Sequence, residues 1–169
     1  LDPLSSSVNT GMARIYYFRG QYEKALLQIK KTLGLDPDYA EAHFSESMIY
    51  FRTREFQKAR ASLEKAVDLS GRRPIMVGIL GALYGKTGNV TAMKKLQSEL
   101  ESPPVTNDKL YATSYIMAAA GQKDEAIDIL ERLYRDKYGI LIYLKLENEF
   151  FDDPPNPRYR QLLRKIGLE

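Results

Sequence analysis

Apolar side chains recur along this chain at three- and four-residue steps, the spacing that lines them up on one side of a helix. Met12, Ala13, Tyr16 and Tyr17 make one such row; Leu26, Ile29 and Leu33 make the next. Gly20 lies between them, where a residue free to take positive φ ends one helix and opens a turn. Asp36-Pro37-Asp38 stops the second row, because proline cannot continue the hydrogen-bond ladder. Read this way, the pattern predicts helices near 6–19 and 22–35, 40–53 and 56–69, 74–87 and 90–101, and 107–120 and 123–136.

The rows are copies of one another. Leu1-Asp2-Pro3 returns 34 residues later as Leu35-Asp36-Pro37. Gly20 maps to Arg54, Gly88 and, one residue early, Gly121; Ala25 maps to Ala59, Met93 and Ala126; Tyr16 maps to Tyr50, Tyr84 and Met117. A period of this size marks stacked helix–turn–helix units, here 6–39, 40–73, 74–106 and 107–139. Ala13, Ser47, Gly81 and Ser114 let the first helices be approached closely, and Ala25, Ala59 and Ala126 do so on the second helices. Tyr16, Tyr50 and Tyr84 fill the gaps beside them. Because the tripeptide closes a unit at residue 37, its copy at residue 3 predicts a further unit upstream, and the first residue is Leu rather than Met.

The last stretch, 140–169, breaks the period. A stack needs its final apolar face covered by an atypical element, and Ile140, Leu141, Ile142, Tyr143, Leu144 and Leu146 are apolar enough to cover it. Asn156 and Pro157 predict the start of a capping helix, Leu162, Leu163 and Ile166 its sticky side, and Gly167 its end.

Composition narrows the function classes. No run of about 18 apolar residues occurs, so no helix inserts into a membrane. Without cysteine there is no disulfide, thiolate metal site or thiol nucleophile, which fits a reducing, cytoplasmic setting. The net charge of +3 is too small for a typical nucleic-acid binder, and the basic stretch from Arg52 to Arg73 is diluted by Glu55, Glu64 and Asp68.

Catalytic and metal chemistry lack their residues. His43 is the sole histidine, which removes Ser-His-Asp, Cys-His and multi-histidine arrangements, and its place on a first helix suits packing. Gly78-Ile79-Leu80-Gly81-Ala82-Leu83-Tyr84-Gly85 lacks the Lys-Ser/Thr of a phosphate loop, so close helix packing accounts for it. Asp152 and Asp153 are two adjacent acids without further ligands. The expectation is a non-enzyme with no cofactor and no metal.

The small residue, the aromatic three on, the turn glycine, the alanine five later and the closing proline together resemble the tetratricopeptide repeat (TPR) family over residues 6 to about 139. The departures are Arg54 for the turn glycine, Gly71 for the closing proline, Met93 for alanine and Lys123 for an apolar residue. That resemblance implies an all-α, right-handed superhelical solenoid of helix pairs with a C-terminal capping helix. The opening Leu-Asp-Pro-Leu-Ser and the closing stretch from Tyr143 to Leu168 resemble the C-terminal TPR regions of bacterial signalling and transcriptional regulators. They depart at Glu147-Asn148 and Asp152-Asp153-Pro154-Pro155.

In such a stack the faces of the first helices line a concave groove. Carried onto this chain, the groove residues are Arg14, Tyr17, Phe18, Phe44, Met48, Phe51, Arg52, Lys86, Tyr111 and Tyr115, joined by Ile75 and Ala82. Aromatics and arginine are common interface anchors. Gly78, Ala82 and Ala118 would leave room for a guest, unless the chain's own upstream segment or tail covers the groove. The expected function is a scaffold that binds a protein partner through a peptide or helix, as the regulatory part of a larger bacterial protein. The alternatives are self-association into a homo-oligomer and, behind it, an RNA-binding helical repeat.

Overall fold

The computed structural model describes residues 5–152 and 155–168, apart from the side chains of 146–149. Leu1-Asp2-Pro3 and Asp153 lie outside the described residues. Every regular element described is helical: α1 (Ser6–Phe18), α2 (Tyr22–Leu35), α3 (Ala40–Arg52), α4 (Phe56–Leu69), α5 (Pro74–Lys86), α6 (Val90–Glu101), α7 (Asn107–Ala119), α8 (Lys123–Arg135), a 3-10 stretch (Gly139–Glu147), α9 (Asn148–Phe151) and α10 (Pro157–Ile166). The first eight begin and end within one residue of the bounds read from the apolar pattern. The chain divides into two compact units, Leu1–Met76 and Val77–Glu169, so the division falls inside α5.

Four turns carry the repeat. After each first helix one residue sits in the left-handed conformation: Gly20 (φ 70), Arg54 (φ 62), Gly88 (φ 80) and Gly121 (φ 85). The next amide donates back across the turn, Gln21 N to Tyr16 O and Glu55 N to Tyr50 O at 2.9 and 2.8 Å, Asn89 N to Tyr84 O and Gln122 N to Met117 O at 2.8 and 2.9 Å. This six-residue bond satisfies a carbonyl that the helix end would otherwise leave unpaired. Arg54 thus adopts the geometry of its glycine counterparts and bears the steric cost that a Cβ meets there.

In unit 1 the core of the first pairs is Ala13, Ala25, Ile29, Ala42 and Ile49, with Tyr16, Tyr17, Tyr22, Leu26, Leu33 and Tyr39 packed around it. The alanines are 0–1 % exposed. Their small size lets α1, α2 and α3 close up while the tyrosine rings fill the margins. His43 is buried, and its Nε2 donates to the Pro37 carbonyl at 2.8 Å, tying α3 to the turn before it. That is a packing role.

In unit 2, α5 is apolar on all sides. Val77, Ile79, Leu80, Ala82 and Leu83 are all buried. A β-carbon added at Gly78 would lie 2.4 Å from the Ala112 carbonyl oxygen and 2.7 Å from the Ala112 Cα. The backbones of α5 and α7 therefore touch. Gly81 fits against the Ile116 side chain, and Gly85 against the side chains of Met93 and Ala119. The expected room for a guest at Gly78 is thus taken up by α7, and Ala82 and Ala118 are themselves buried. Leu96, Leu100, Ile127, Leu130 and Leu133 complete this core from α6 and α8.

Two substitutions test these readings. Gly78→Ala should destabilise by about 2 kcal/mol, since overpacking against immovable backbone outweighs the roughly 1 kcal/mol gained by alanine in a helix. Urea melts that show equal or greater stability would contradict the backbone contact. Arg54→Gly should stabilise by about 0.5–1 kcal/mol, the relief of left-handed strain exceeding the added freedom of the unfolded chain. A lower melting temperature would contradict it.

Candidate functional site

The first-helix faces of the two units differ in what covers them. In unit 1 the face is built by α1 and α3. Tyr17 and Arg52 are half-buried and joined: the Arg52 Nε donates to the Tyr17 hydroxyl at 2.9 Å, and the guanidinium carbon lies 5.8 Å from the ring centre. Phe18 is 49 % exposed and meets the Tyr17 ring edge-on at 5.3 Å. Phe44 and Met48 lie one turn apart on α3 and are half-buried. Arg14 is exposed on α1 and forms no ion pair among the described residues.

Phe51 belongs elsewhere. It is 6 % exposed and packs edge-on against Phe56 at 5.8 Å, so it fills the α3–α4 hairpin. Its partner stands five residues on, across the turn, which a reading of groove positions alone passes over. A carboxylate there would enter the core, so Phe44 is the informative position to alter.

In unit 2 the expected lining is covered. Tyr111 and Tyr115 are 2 % and 0 % exposed, and the Tyr115 hydroxyl donates to that of Tyr111 at 2.8 Å. Phe150 and Phe151 of α9 meet the Tyr115 ring edge-on at 5.2 and 5.0 Å. The Lys86 ammonium sits 5.6 Å over the Phe150 ring. The chain's own tail therefore occupies the α5–α7 face. Its occupants, Phe150 and Phe151, were missed among the candidate residues; the signal for them is an adjacent aromatic pair in a stretch otherwise rich in acids and prolines.

The tail is fixed on its far side as well. Phe151 stacks on Tyr159 at 5.5 Å, and the buried Tyr159 hydroxyl donates to the Leu144 carbonyl at 2.7 Å. Asn156 caps α10 by accepting from the amides of Arg158 and Tyr159 at 2.9 and 3.3 Å. Asp152 accepts from the Asn156 amide at 2.6 Å and from Arg160 at 3.1 Å, so it is a structural acid. Arg158 reaches Asp124, Asp128 and Glu131 of α8 at 3.7, 2.6 and 3.2 Å. Gly167, at φ 84, ends the helix. Tyr138 donates to Asp108; burial, and after it that carboxylate, hold its phenol above the ordinary range.

Among the described residues no group of three or more His, Cys, Asp or Glu could hold a metal ion. No helix among them is long and apolar enough to cross a membrane.

Residues 10–74 match the tetratricopeptide repeat family. A TPR repeat-containing protein of Methanocaldococcus jannaschii is 30 % identical over 88 residues, which is 52 % of this chain and 26 % of that protein. The match thus spans about a quarter of that relative's length. The crystal structure of YrrB, described as a TPR protein with an unusual peptide-binding site, resembles this chain with a TM-score of 0.58. It is 17 % identical over 97 % of this chain and 86 % of YrrB, a likeness of fold.

Proposed function

We propose that the chain, whose residues 10–74 match the tetratricopeptide repeat family, is a protein-interaction module whose working surface is the α1–α3 face. The observation that carries this reading is the row Phe18, Phe44 and Met48 beside the Tyr17–Arg52 pair. It is apolar, partly exposed and edged by cations. Aromatic and arginine side chains on a rigid helical scaffold are suited to anchor a peptide or helix. Arg14 and Arg52 favour guests with carboxylates beside their apolar residues. The module supplies recognition rather than chemistry, and in a larger regulatory protein it would choose the partner. The peptide-binding site of YrrB is in keeping with this reading.

A random-peptide display selection against the protein tests it. Enriched peptides should bind the wild type and lose about tenfold or more in affinity with Phe44→Glu, while circular dichroism stays unchanged. Failure to enrich any sequence, or binding indifferent to position 44, would remove the reading.

Self-association through α1 is a second reading, with its own observation. Ile15 is 53 % exposed, whereas Ile49, Leu83 and Ile116, at the same place in the later units, are at most 1 % exposed. Sedimentation equilibrium should then show a mass that rises with concentration and returns to the monomer with Ile15→Lys. A wild type that stays monomeric throughout would dismiss it.

A further inference from the structure

The tail shows what a first-helix face of this chain accepts. Tyr111 and Tyr115 of α7 stand 67 residues after Phe44 and Met48 of α3, the same two places in the repeat. In unit 2 the second of those places, Tyr115, receives an adjacent pair of aromatic rings, Phe150 and Phe151, while the first, Tyr111, meets the ring of Tyr138. In unit 1 both places are half-buried and keep part of their surface exposed. We propose that the guest of the α1–α3 face is a segment of another chain that carries two adjacent aromatic residues bounded by carboxylates. Glu149-Phe150-Phe151-Asp152 has that same chemistry within this chain. The proposal rests on the α1–α3 face being the working surface and names what it takes.

The substitutions between the two faces say how the guests differ. Phe44 and Met48 replace Tyr111 and Tyr115, which removes two hydroxyls that bond one another in unit 2. The floor becomes wholly apolar, and the methionine thioether makes favourable contacts with ring edges. Phe18 stands where unit 2 has Lys86, adding a ring. Arg14 and Arg52 stand where unit 2 has Ala82 and Ala119, so two cations replace two methyl groups. The acids of α3 are engaged: Glu41 pairs with Arg73, and Glu46 accepts from Ser62 at 2.7 Å. Unit 1 therefore offers an apolar seat at the same places, with more positive charge. In the folded tail Asp152 is taken up by the start of α10. In a separate segment the corresponding carboxylate is available to Arg14.

The test uses a fluorescein-labelled peptide of the chain's own residues 147–153, Glu-Asn-Glu-Phe-Phe-Asp-Asp, titrated with the whole protein. Anisotropy should report binding in the micromolar range that weakens about tenfold when the two phenylalanines are moved to opposite ends of the peptide. Arg14→Glu, at an exposed position that leaves packing intact, should weaken it by a similar factor and flatten its salt dependence. Amide shifts in NMR spectra should fall on α1 and α3. No binding up to about 1 mM, indifference to Arg14→Glu, or shifts confined to α7 would overturn the proposal. If display-selected peptides of other chemistry bind α1 and α3 while this one does not, the named guest is wrong and the surface stands. If no peptide binds that face, both fall.

Discussion

One residue in the left-handed conformation closes each first helix, and the hairpins of both units hang on it. At Gly20, Arg54, Gly88 and Gly121 the chain reverses within three residues. A second helix must then run back along the first. That fixes which side of the first helix is buried by its partner and which is left facing outward. The buried side needs small residues, hence Ala13 and Ala25 at under 2 % exposure. The outward side is free to carry large rings and charges. The division between scaffold and working surface is thus decided by backbone geometry before any partner is considered.

The two units use this division differently. In unit 1 the outward side keeps Phe18, Phe44 and Met48 partly exposed. In unit 2 it is filled by Phe150 and Phe151 and tightened by the α5–α7 backbone contact at Gly78. The same tail buries Tyr159, Leu162 and Leu163 of α10, with Phe151 stacked on Tyr159.

The helices and their ends were legible in the sequence because local chemistry decides them: a left-handed residue, a proline, a side-chain cap such as Asn156. Arg54 was legible as a departure, and the structure shows the turn holding its shape at the cost of strain. That the tail could cover the groove was legible; which residues it covers was not. Tyr111 and Tyr115 look like groove residues by position, yet Tyr138, 27 residues after Tyr111, and Phe150 and Phe151, 35 and 36 residues after Tyr115, lie against them. The same limit applied to Gly78, where absence of a side chain reads equally as space or as contact. Phe51 failed for a nearer reason, since its pairing with Phe56 depends on how the turn folds the two rings together.

The tether on the aromatic pair has a kinetic and thermodynamic side. Phe150 and Phe151 are joined to α8 by the short 3-10 stretch and pinned beyond by α10. A segment held so closely to its seat acts at an effective concentration of about millimolar or above. A free segment of equal intrinsic strength, present at micromolar levels in a cell, would displace it only about one time in a thousand. The α5–α7 face is therefore closed by mass action, without any need for a tighter fit. Cutting or loosening the tether, rather than altering a contact residue, is the change that would open it.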